Sequence, residues 1–387
     1  MAFARASRRP LGVFYYSASG RFSSGNEYSS VASKLESLSQ YKSSGFAKPC
    51  SGFGKFLRGF GSMSEQMSLI KELRERTSAP IKDVKASLVE CNWDIEAAQK
   101  DLRKRGKALA SKKASRTAAE GMLAVAQNEG KLAVIELNCE TDFVARNEIF
   151  QYLALAMAKH ALLIENSSQQ APGIFPFGPE LFEELKLNLD HPKVNGETTV
   201  SNAVTEVAAI MGENVKFRRG FLLSKSPTSV LSAYLHSTPQ PGLCRIAGIV
   251  SLEVENGTTQ IEALQRVGSD LAMHVVALNP LFLSKDLVSS EAIANEREIL
   301  KSQAESTAKS QMVVEKMVEG RLRKYFEEVA LMEQKFIVDD AISIKTLVDN
   351  LSKEVGSPVK VTSFLRVEVG EGVERLEASD EPVSQIA

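Results

Sequence analysis

The residues with the strongest capacity for metal binding or nucleophilic chemistry are few in this sequence of 387 residues, and they are widely spaced. The four histidines are scattered, and the four cysteines lie far apart, at positions 50, 91, 139 and 244. This spacing argues against a zinc site and against a disulfide framework. Neither H-E-x-x-H nor G-x-x-x-x-G-K-[ST] occurs, which argues against a zinc peptidase and a P-loop nucleotidase. The sequence therefore predicts no enzyme, no metal and no cofactor.

A different kind of chemistry is carried by Thr141, Asp142, Phe143 and Val144, where an aromatic and a carboxylate side chain are neighbours. The segment lies between a buried strand at 132–137 and a predicted helix, and such a corner exposes side chains on a rigid base. Insertion of an exposed Phe143 into a partner's cleft would gain roughly 2 kcal/mol. Asp142 could redirect hydrogen bonds or charge at a contact surface. In the plainer alternative, Asp142 caps the helix and Phe143 packs in the core.

Two parts of the chain repeat the order of two strands and a helix, which indicates an internal duplication. The strands fall at 122–126 and 132–137 in the first part, and at 230–236 and 245–255 in the second. Third strands are predicted at 214–223 and 359–369. The fold class is therefore α+β, with two related half-domains, 119–225 and 226–375, each an antiparallel sheet with helices on one side. Residues 165–199 have the composition of a surface insertion.

Helical patterns accompany these half-domains. Residues 65–107 are predicted to form a three-helix module of the ubiquitin-associated type, in which Pro80 begins the second helix. Asn92, Trp93 and Asp94 offer caps for the third helix, and Gly106 is expected to end it. The cationic residues 108–118 are then a linker. A helical hairpin at about 289–328 is expected to project from the second half-domain.

Residues 1–64 have the composition of an organellar transit peptide. Arginines come early, serines are dense, and Glu27 and Glu36 are the only acids. We expect a disordered address for the mitochondrial matrix; a plastid address and a tail without targeting function are the alternatives. Residues 376–387 are predicted to form a C-terminal tail. The net charge of −1 argues against a nucleic-acid partner, and the lack of a long apolar run argues against a membrane span.

Several short motifs are similar to those of one protein family. They are LIKELRERT at 69–77, TDFVARN at 141–147, MGEN at 211–214, EKMVEGR at 315–321 and RVEVGEG at 366–372. They occur in the family's order, and the likeness runs from about residue 66 to residue 375. On these motifs the sequence resembles an organellar member of the elongation factor Ts family.

The resemblance implies a guanine-nucleotide exchange factor that binds elongation factor Tu, GDP-bound or nucleotide-free, and speeds the release of GDP. It implies that Asp142 and Phe143, flanked by Thr141 and Val144, enter a cleft of the GTPase near its magnesium ion. It also implies that His236 helps to disturb the phosphate loop, although a structural histidine at the end of a strand is the alternative. Further implied partner contacts are Met211, Gly212, Leu73 and Ile81.

Other functions remain open at this point. A ubiquitin-binding adaptor would use the three-helix module alone, and it leaves the Asp142–Phe143 corner unexplained. An RNA-binding protein would use the basic residues 107–116, which the near-neutral net charge opposes. A hydrolase lacks a visible grouping of nucleophile, base and orienting residue. A relative that binds the GTPase without exchanging its nucleotide would keep the same motifs, and self-association is left open.

Overall fold

In the computed structural model, the described residues are 54–164, 173–256, 260–305 and 311–373, and the described side chains are 64–164, 173–256, 260–303 and 311–373. The chain divides into two compact units, Met1–Gly59 and Phe60–Ala387, and all side-chain contacts given below belong to the second. The predicted targeting segment lies outside the described residues as far as residue 53. Its last part, 54–64, is helical where disorder was expected. The predicted tail at 376–387 also lies outside the described residues.

Helices and antiparallel strands alternate along the described residues, which confirms the predicted α+β class. The helices are α1 (Gly54–Thr77), α2 (Ile81–Glu90), α3 (Ile95–Lys113), α4 (Asp142–Ala145), α5 (Glu148–Ala161), α6 (Pro179–Phe182), α7 (Val200–Met211), α8 (Ile261–Leu278), α9 (Ser290–Glu305), α10 (Gln311–Val329) and α11 (Ile344–Val355). The strands are β1 (Glu120–Gln127), β2 (Lys131–Cys139), β3 (Gly173–Phe177), β4 (Lys186–His191), β5 (Val194–Thr199), β6 (Lys216–Ser224), β7 (Ser229–His236), β8 (Leu243–Cys244), β9 (Ile246–Val254) and β10 (Val359–Glu368).

Two antiparallel sheets carry the core. The first has the strand order β3-β6-β2-β1-β8, and the second has the order β10-β9-β7. Because side chains alternate across a strand, each sheet has two apolar faces. One face of the first sheet packs on α5 and α7, and one face of the second packs on α8 and α11. The remaining faces pack on each other through Leu123, Val134, Leu231, Ile249 and Val367. The helices thus lie on one side of each sheet, as predicted.

The N-terminal helical module has its own small core. Its buried residues are Ile70, Leu73, Val84, Leu88, Ala98 and Leu102. Pro80 is the N-cap of α2, immediately before the helix, where its missing N–H leaves no donor unpaired. The carboxylate of Asp94 caps α3 by accepting from the amides of Glu96 (2.9 Å) and Ala97 (3.2 Å). The cap that was predicted among residues 92–94 is confirmed at Asp94, and the second helix starts one residue after Pro80.

The end of α3 differs from the prediction. The helix does not stop at Gly106 but continues to Lys113, so most of the predicted 108–118 linker is helical. Gly106 lies where α3 crosses α7, and a Cβ placed on it would be 2.9 Å from the Cβ of Ala209. Glu206 of α7 also forms an ion pair with Arg103 of α3. The glycine therefore permits close helix packing, which its chain position alone does not distinguish from a helix end.

Two helical glycines give a paired prediction with opposite signs. Gly106→Ala overpacks the α3–α7 contact, and we expect a net loss of about 1 kcal/mol in the free energy of unfolding. Gly320→Ala in α10 meets no atom of the described residues within 4 Å, so the helix propensity of alanine should stabilise by up to about 1 kcal/mol. Urea unfolding of both variants checks this. Ala209→Gly should partly restore the first variant; stabilisation by Gly106→Ala would contradict the packing role.

The segment 165–199 is not a surface insertion in its described part. β3 pairs with β6 and so forms an edge of the first sheet, and β4 pairs with β5 in a two-stranded sheet. Phe177 and Phe182 are buried against Phe217, with ring centroids 5.9 Å and 4.9 Å from it. Leu187 and Leu189 join the same core. The polar composition of the segment concealed these alternating apolar positions.

The hairpin predicted at 289–328 is formed by α9 and α10. Its internal apolar contact consists of Leu300, Val314, Val318 and Leu322, with Ile293 and Met317 packed against it. Ile299 and Val313, two further apolar residues of these helices, are about half exposed. The contact is therefore narrower than the sequence pattern indicated.

Candidate functional site

The Thr141–Val144 segment lies between β2 and α5, where Thr141 precedes the single helical turn α4. The hydroxyl of Thr141 caps this turn by accepting from the amide of Val144, at 3.4 Å. The side chain of Asn147 caps the next helix by accepting from the amide of Ile149, at 2.9 Å. Val144 is buried in the core, whereas Phe143 is 79% exposed. The corner is thus capped, anchored from beneath, and presents an aromatic ring to solvent.

This geometry decides between the alternatives left open for the corner. The cap of α4 is Thr141 and not Asp142, which is the first residue of the helix. Phe143 is not a core residue. Val144, expected to contact a partner together with its neighbours, is 8% exposed and serves as the anchor instead. The exposed chemistry of the corner is therefore that of Asp142 and Phe143.

Asp142 forms an ion pair with Arg146 one turn later, at 2.9 Å. The two side chains are 41% and 72% exposed, so the pair is largely solvated. Exposed ion pairs of this kind contribute about 0.2–1 kcal/mol. Asp142 can therefore exchange Arg146 for another partner at little cost, while remaining in place on the corner.

The Met211–Gly212 element lies at the end of α7, where Gly212 is the C-cap with a left-handed backbone (φ 71°). Met211 is half-buried and Gly212 is exposed. The carbonyl of Gly212 accepts a hydrogen bond from the ammonium of Lys113, the last residue of α3. The end of the helical module's third helix is thus tied to this turn.

Two carboxylates join this turn to the corner, each accepting a backbone N–H from the other loop. Glu213 accepts from the amide of Thr141 (3.0 Å) and from its hydroxyl (2.7 Å). Glu140 accepts from the amide of Asn214 (2.6 Å) and from Arg116 (3.2 Å). The bonds between these two loops make the 140–147 corner and the 211–214 turn one connected surface.

His236 ends β7 and is exposed, with its ring 3.4 Å from the hydroxyl of Tyr234. The turn that follows it packs on the first half-domain, because Gln240 donates to Gln151 of α5 (3.1 Å). Gln151 in turn donates to the carbonyl of Ala145 at the corner (3.2 Å). A chain of hydrogen bonds therefore connects the turn after His236 to the corner.

The sequence comparisons identify the family. The family model described as Elongation factor TS matches residues 140–371. A protein from Arabidopsis thaliana named Elongation factor Ts, mitochondrial, is 84% identical to this chain over 100% of both. The chain belongs to the elongation factor Ts family. A protein of the same name from Ricinus communis is 66% identical over 100% of both chains. Elongation factor Ts from Paramagnetospirillum magneticum is 41% identical over 81% of this chain and 93% of that one.

The match to the elongation factor Ts model contains the corner, the 211–214 turn, His236 and the hairpin, whereas the N-terminal module precedes it. In that module, the two residues that were expected to contact a partner differ in their exposure. Ile81 is 56% exposed at the start of α2, but Leu73 is fully buried in the module's core and cannot reach a partner from there. Lys193 of the β4–β5 hairpin donates to Ser78 beside α2 (2.5 Å), which ties the module to the first half-domain.

The buried titratable side chains of this elongation factor Ts family member lie inside the fold, where burial shifts their pKa values. Burial raises the pKa of Cys139 and of Cys244 to about 12, so both stay neutral thiols. Burial lowers the pKa of His274, whose ring lies 3.0 Å from the amide oxygen of Gln334. Within the described ranges there is no grouping of three or more potential metal ligands. In the same ranges, no helix is long and apolar enough to cross a membrane.

Sequence analysis missed the residues that hold the site together. Glu213 falls inside the MGEN motif, and Glu140 precedes the TDFVARN motif, yet neither was assigned a role. Lys113 was placed in a linker. Their places in the sequence could have pointed to them, because each carboxylate directly adjoins an element that was expected to contact a partner. The backbone amide that each carboxylate binds, however, depends on the tertiary fold.

Proposed function

We propose that this chain is a guanine-nucleotide exchange factor that promotes GDP release from an organellar elongation factor Tu during translation elongation. The observation that carries the proposal is Phe143, an aromatic side chain 79% exposed on a capped and anchored corner. Burying a phenylalanine side chain gains up to about 3 kcal/mol. Insertion of Phe143 into a partner's cleft would therefore supply a stabilisation that the exposed ring lacks in the free chain. Membership of the elongation factor Ts family supports the identity of that partner.

In the proposed mechanism, the corner enters the GTPase beside the nucleotide's magnesium ion. Phe143 fills an apolar cleft, and Asp142 leaves its solvated pair with Arg146 to rearrange the polar contacts there. The magnesium and the nucleotide belong to the partner, so this chain requires no covalent chemistry and no cofactor of its own. Because coupling between binding sites is reciprocal, a chain that weakens GDP binding is itself bound less tightly when GDP is present.

The proposed contact surface has a centre and supporting parts. Asp142 and Phe143 form the centre, and the exposed Gly212, the half-buried Met211 and the exposed His236 lie on elements connected to it. Ile81 supplies a separate contact from the N-terminal module. Thr141, Val144 and Leu73 support these contacts from within the fold and do not form them.

We further propose that the protein acts in the mitochondrial matrix. The relatives that match the whole chain carry the word mitochondrial in their names. The arginine-rich and acid-poor composition of residues 1–64 agrees with such an address. The arginines near the start favour a mitochondrial over a plastid address.

The test is the release of fluorescent GDP from mitochondrial elongation factor Tu. Excess unlabelled GDP is added, and the release rate is followed with increasing amounts of the full chain. We expect an acceleration of about 1,000-fold at saturation, which corresponds to about 4 kcal/mol in the barrier to GDP release, with Phe143 supplying about 2 kcal/mol of it or more. Binding without acceleration would contradict the exchange function and leave a relative that only binds the GTPase; absence of binding would contradict the choice of partner.

A further inference from the structure

We infer that Glu213 is a positioning residue for nucleotide exchange: it fixes the direction in which the corner presents Phe143. This inference rests on the proposed function, because the corner is taken to be the part that acts on the partner. Glu213 need not touch that partner. It contacts Thr141, two residues before the exposed ring, with both of its carboxylate oxygens.

The first step is the direction of the Thr141 hydroxyl proton. An ionised carboxylate is only an acceptor, so the hydroxyl must donate its proton to Glu213, at 2.7 Å. A lone pair of that hydroxyl is then left for the amide of Val144, which donates to it at 3.4 Å. Glu213 therefore sets the hydroxyl as the N-cap of α4. A turn of four residues has few bonds of its own, so this cap strongly influences how it starts.

The second step is the amide of Thr141, which donates to the other oxygen of Glu213 at 3.0 Å. The amide and the hydroxyl together fix both the backbone and the side chain of the residue before α4. Hydrogen bonds to a charged group are stronger than neutral ones. The position of Phe143 on the first turn of α4 thus depends on a residue 70 positions later in the chain.

The third step is the position of Glu213 itself. It follows the C-cap Gly212, whose carbonyl accepts from Lys113, and it precedes Asn214, whose amide donates to Glu140 at 2.6 Å. The side chain of Asn214 donates to the carbonyls of Ala114 (3.2 Å) and Arg116 (2.6 Å). Glu213 is therefore held from both sides, and it transmits a fixed position to Thr141.

Glutamine is the discriminating replacement because it has nearly the same shape and one acceptor fewer. In Glu213→Gln, the amide nitrogen must face either the Thr141 N–H, where two donors would meet, or the hydroxyl, which would then have to accept. In the second case the hydroxyl proton loses its fixed direction, and the bond to Val144 weakens. One variant thus disturbs the cap with little change in volume.

We expect Glu213→Gln to lower the maximal rate of GDP release about 10-fold, with less than about 3-fold change in the concentration giving half-saturation. Thr141→Val should give a similar loss, and Thr141→Ser, which keeps the hydroxyl, a smaller one. The matched control is Glu354→Gln on α11, whose carboxylate also receives two bonds, from Arg266 at 2.9 and 3.1 Å. It should remain within about 2-fold of the unchanged chain.

The decisive comparison uses Phe143→Ala as the background. If Glu213 acts through the corner, Glu213→Gln changes the rate less than about 2-fold once the ring is absent. A full 10-fold loss in that background, or no loss in the intact chain, overturns the inference while the exchange function stands. Unfolding curves of all variants are recorded in parallel, and a loss of rate that only follows the unfolded fraction also overturns it.

Amide hydrogen exchange of the free chain separates the inference from the proposed function. Glu213→Gln should speed exchange at the amides of Thr141 and Val144 about 10-fold, with little change in the core strand β2. This result supports the positioning role even where the unchanged chain fails to accelerate GDP release, in which case only the proposed function is lost. Unchanged exchange at both amides overturns the positioning role.

Discussion

Replacing Phe143 with alanine should lower the saturating rate of GDP release at least about 30-fold, because aromatic hot spots contribute 2 kcal/mol or more. The side chain is 79% exposed in the free chain, so its removal leaves the core intact. The unfolding free energy should therefore stay within about 0.5 kcal/mol of the unchanged chain. A large loss of activity without a loss of stability is the expected signature of a residue that works only in the complex.

The matched control is Leu163→Ala, which removes another exposed apolar side chain of the first half-domain, 69% exposed after α5. Its release rate should remain within about 2-fold of the unchanged chain. Phe143→Leu should lose less than Phe143→Ala, because it still fills part of an apolar cleft. A Phe143→Ala chain that accelerates release as well as the unchanged chain would move the working surface away from the corner.

The outcome for the corner shows how much of a site the sequence can supply. The residues of 141–147 left open whether Phe143 is exposed or packs in the core; the family resemblance implied the exposed position, and the structure has Phe143 there. The roles of the individual residues within the corner were harder to predict. Whether Thr141 or Asp142 caps the turn depends on where the first helical residue falls, which a one-residue shift reverses. The separation of the exposed Phe143 from the buried Val144 follows from that same shift.

Helices and strands were predicted correctly where a local sequence pattern determines them. They were missed where a contact with a distant part of the chain determines them. Strand alternation located β1, β2, β7, β9 and β10 from their own residues. Gly106, by contrast, has the local signature of a helix end, and only its contact with Ala209, about a hundred residues later, explains the continuing helix. Similarly, Leu187 and Leu189 alternate in a polar context, and their burial depends on the packing of β4 against α5 and α7.

The contact between the two sheets could not be predicted from local patterns at all. Leu132 and Val134 of β2 face the second sheet, and Glu136 continues the same face of the strand. A charge at an alternating apolar position is a visible irregularity in the sequence. Its reason is tertiary: a bulge in the pairing of β2 with β6 brings Arg218 and Arg219 to the same carboxylate.

Glu136 is therefore the position where we expect the largest effect on stability. Its side chain is fully buried, and it accepts from Arg218 (2.9 Å), Arg219 (2.6 Å) and the amide of Gly370 (2.8 Å). The last bond ties the first sheet to the chain that leaves β10. Glu136→Gln leaves two arginines without their shared carboxylate, and removing one partner of a buried ion pair costs about 3–5 kcal/mol. Because the arginines are 22% and 28% exposed, we expect the lower end of that range.

The pH dependence follows from the same contacts. Burial alone would raise the pKa of Glu136, but the Gly370 amide and the Arg219 and Arg218 guanidiniums together hold this pKa below its ordinary value of 4.5. The unfolded chain therefore binds this proton at a higher pH than the folded chain does. The contribution of the carboxylate is complete above about pH 4.5 and is lost as the pH falls through the folded pKa. The difference between the unchanged chain and Glu136→Gln should shrink in that acid range.

Urea unfolding at pH 7 and at a series of lower pH values measures both effects. The matched control is Glu371→Gln, because Glu371 also meets Arg219 (3.3 Å) but its side chain is 47% exposed. Its loss should not exceed about 1 kcal/mol. The two glutamates thus share an arginine and differ in burial, so equal losses would contradict the view that desolvation makes Glu136 critical. A larger loss at Glu136 that persists unchanged into acid would contradict the role of its charge, because the titrating group that glutamine removes would then make no difference.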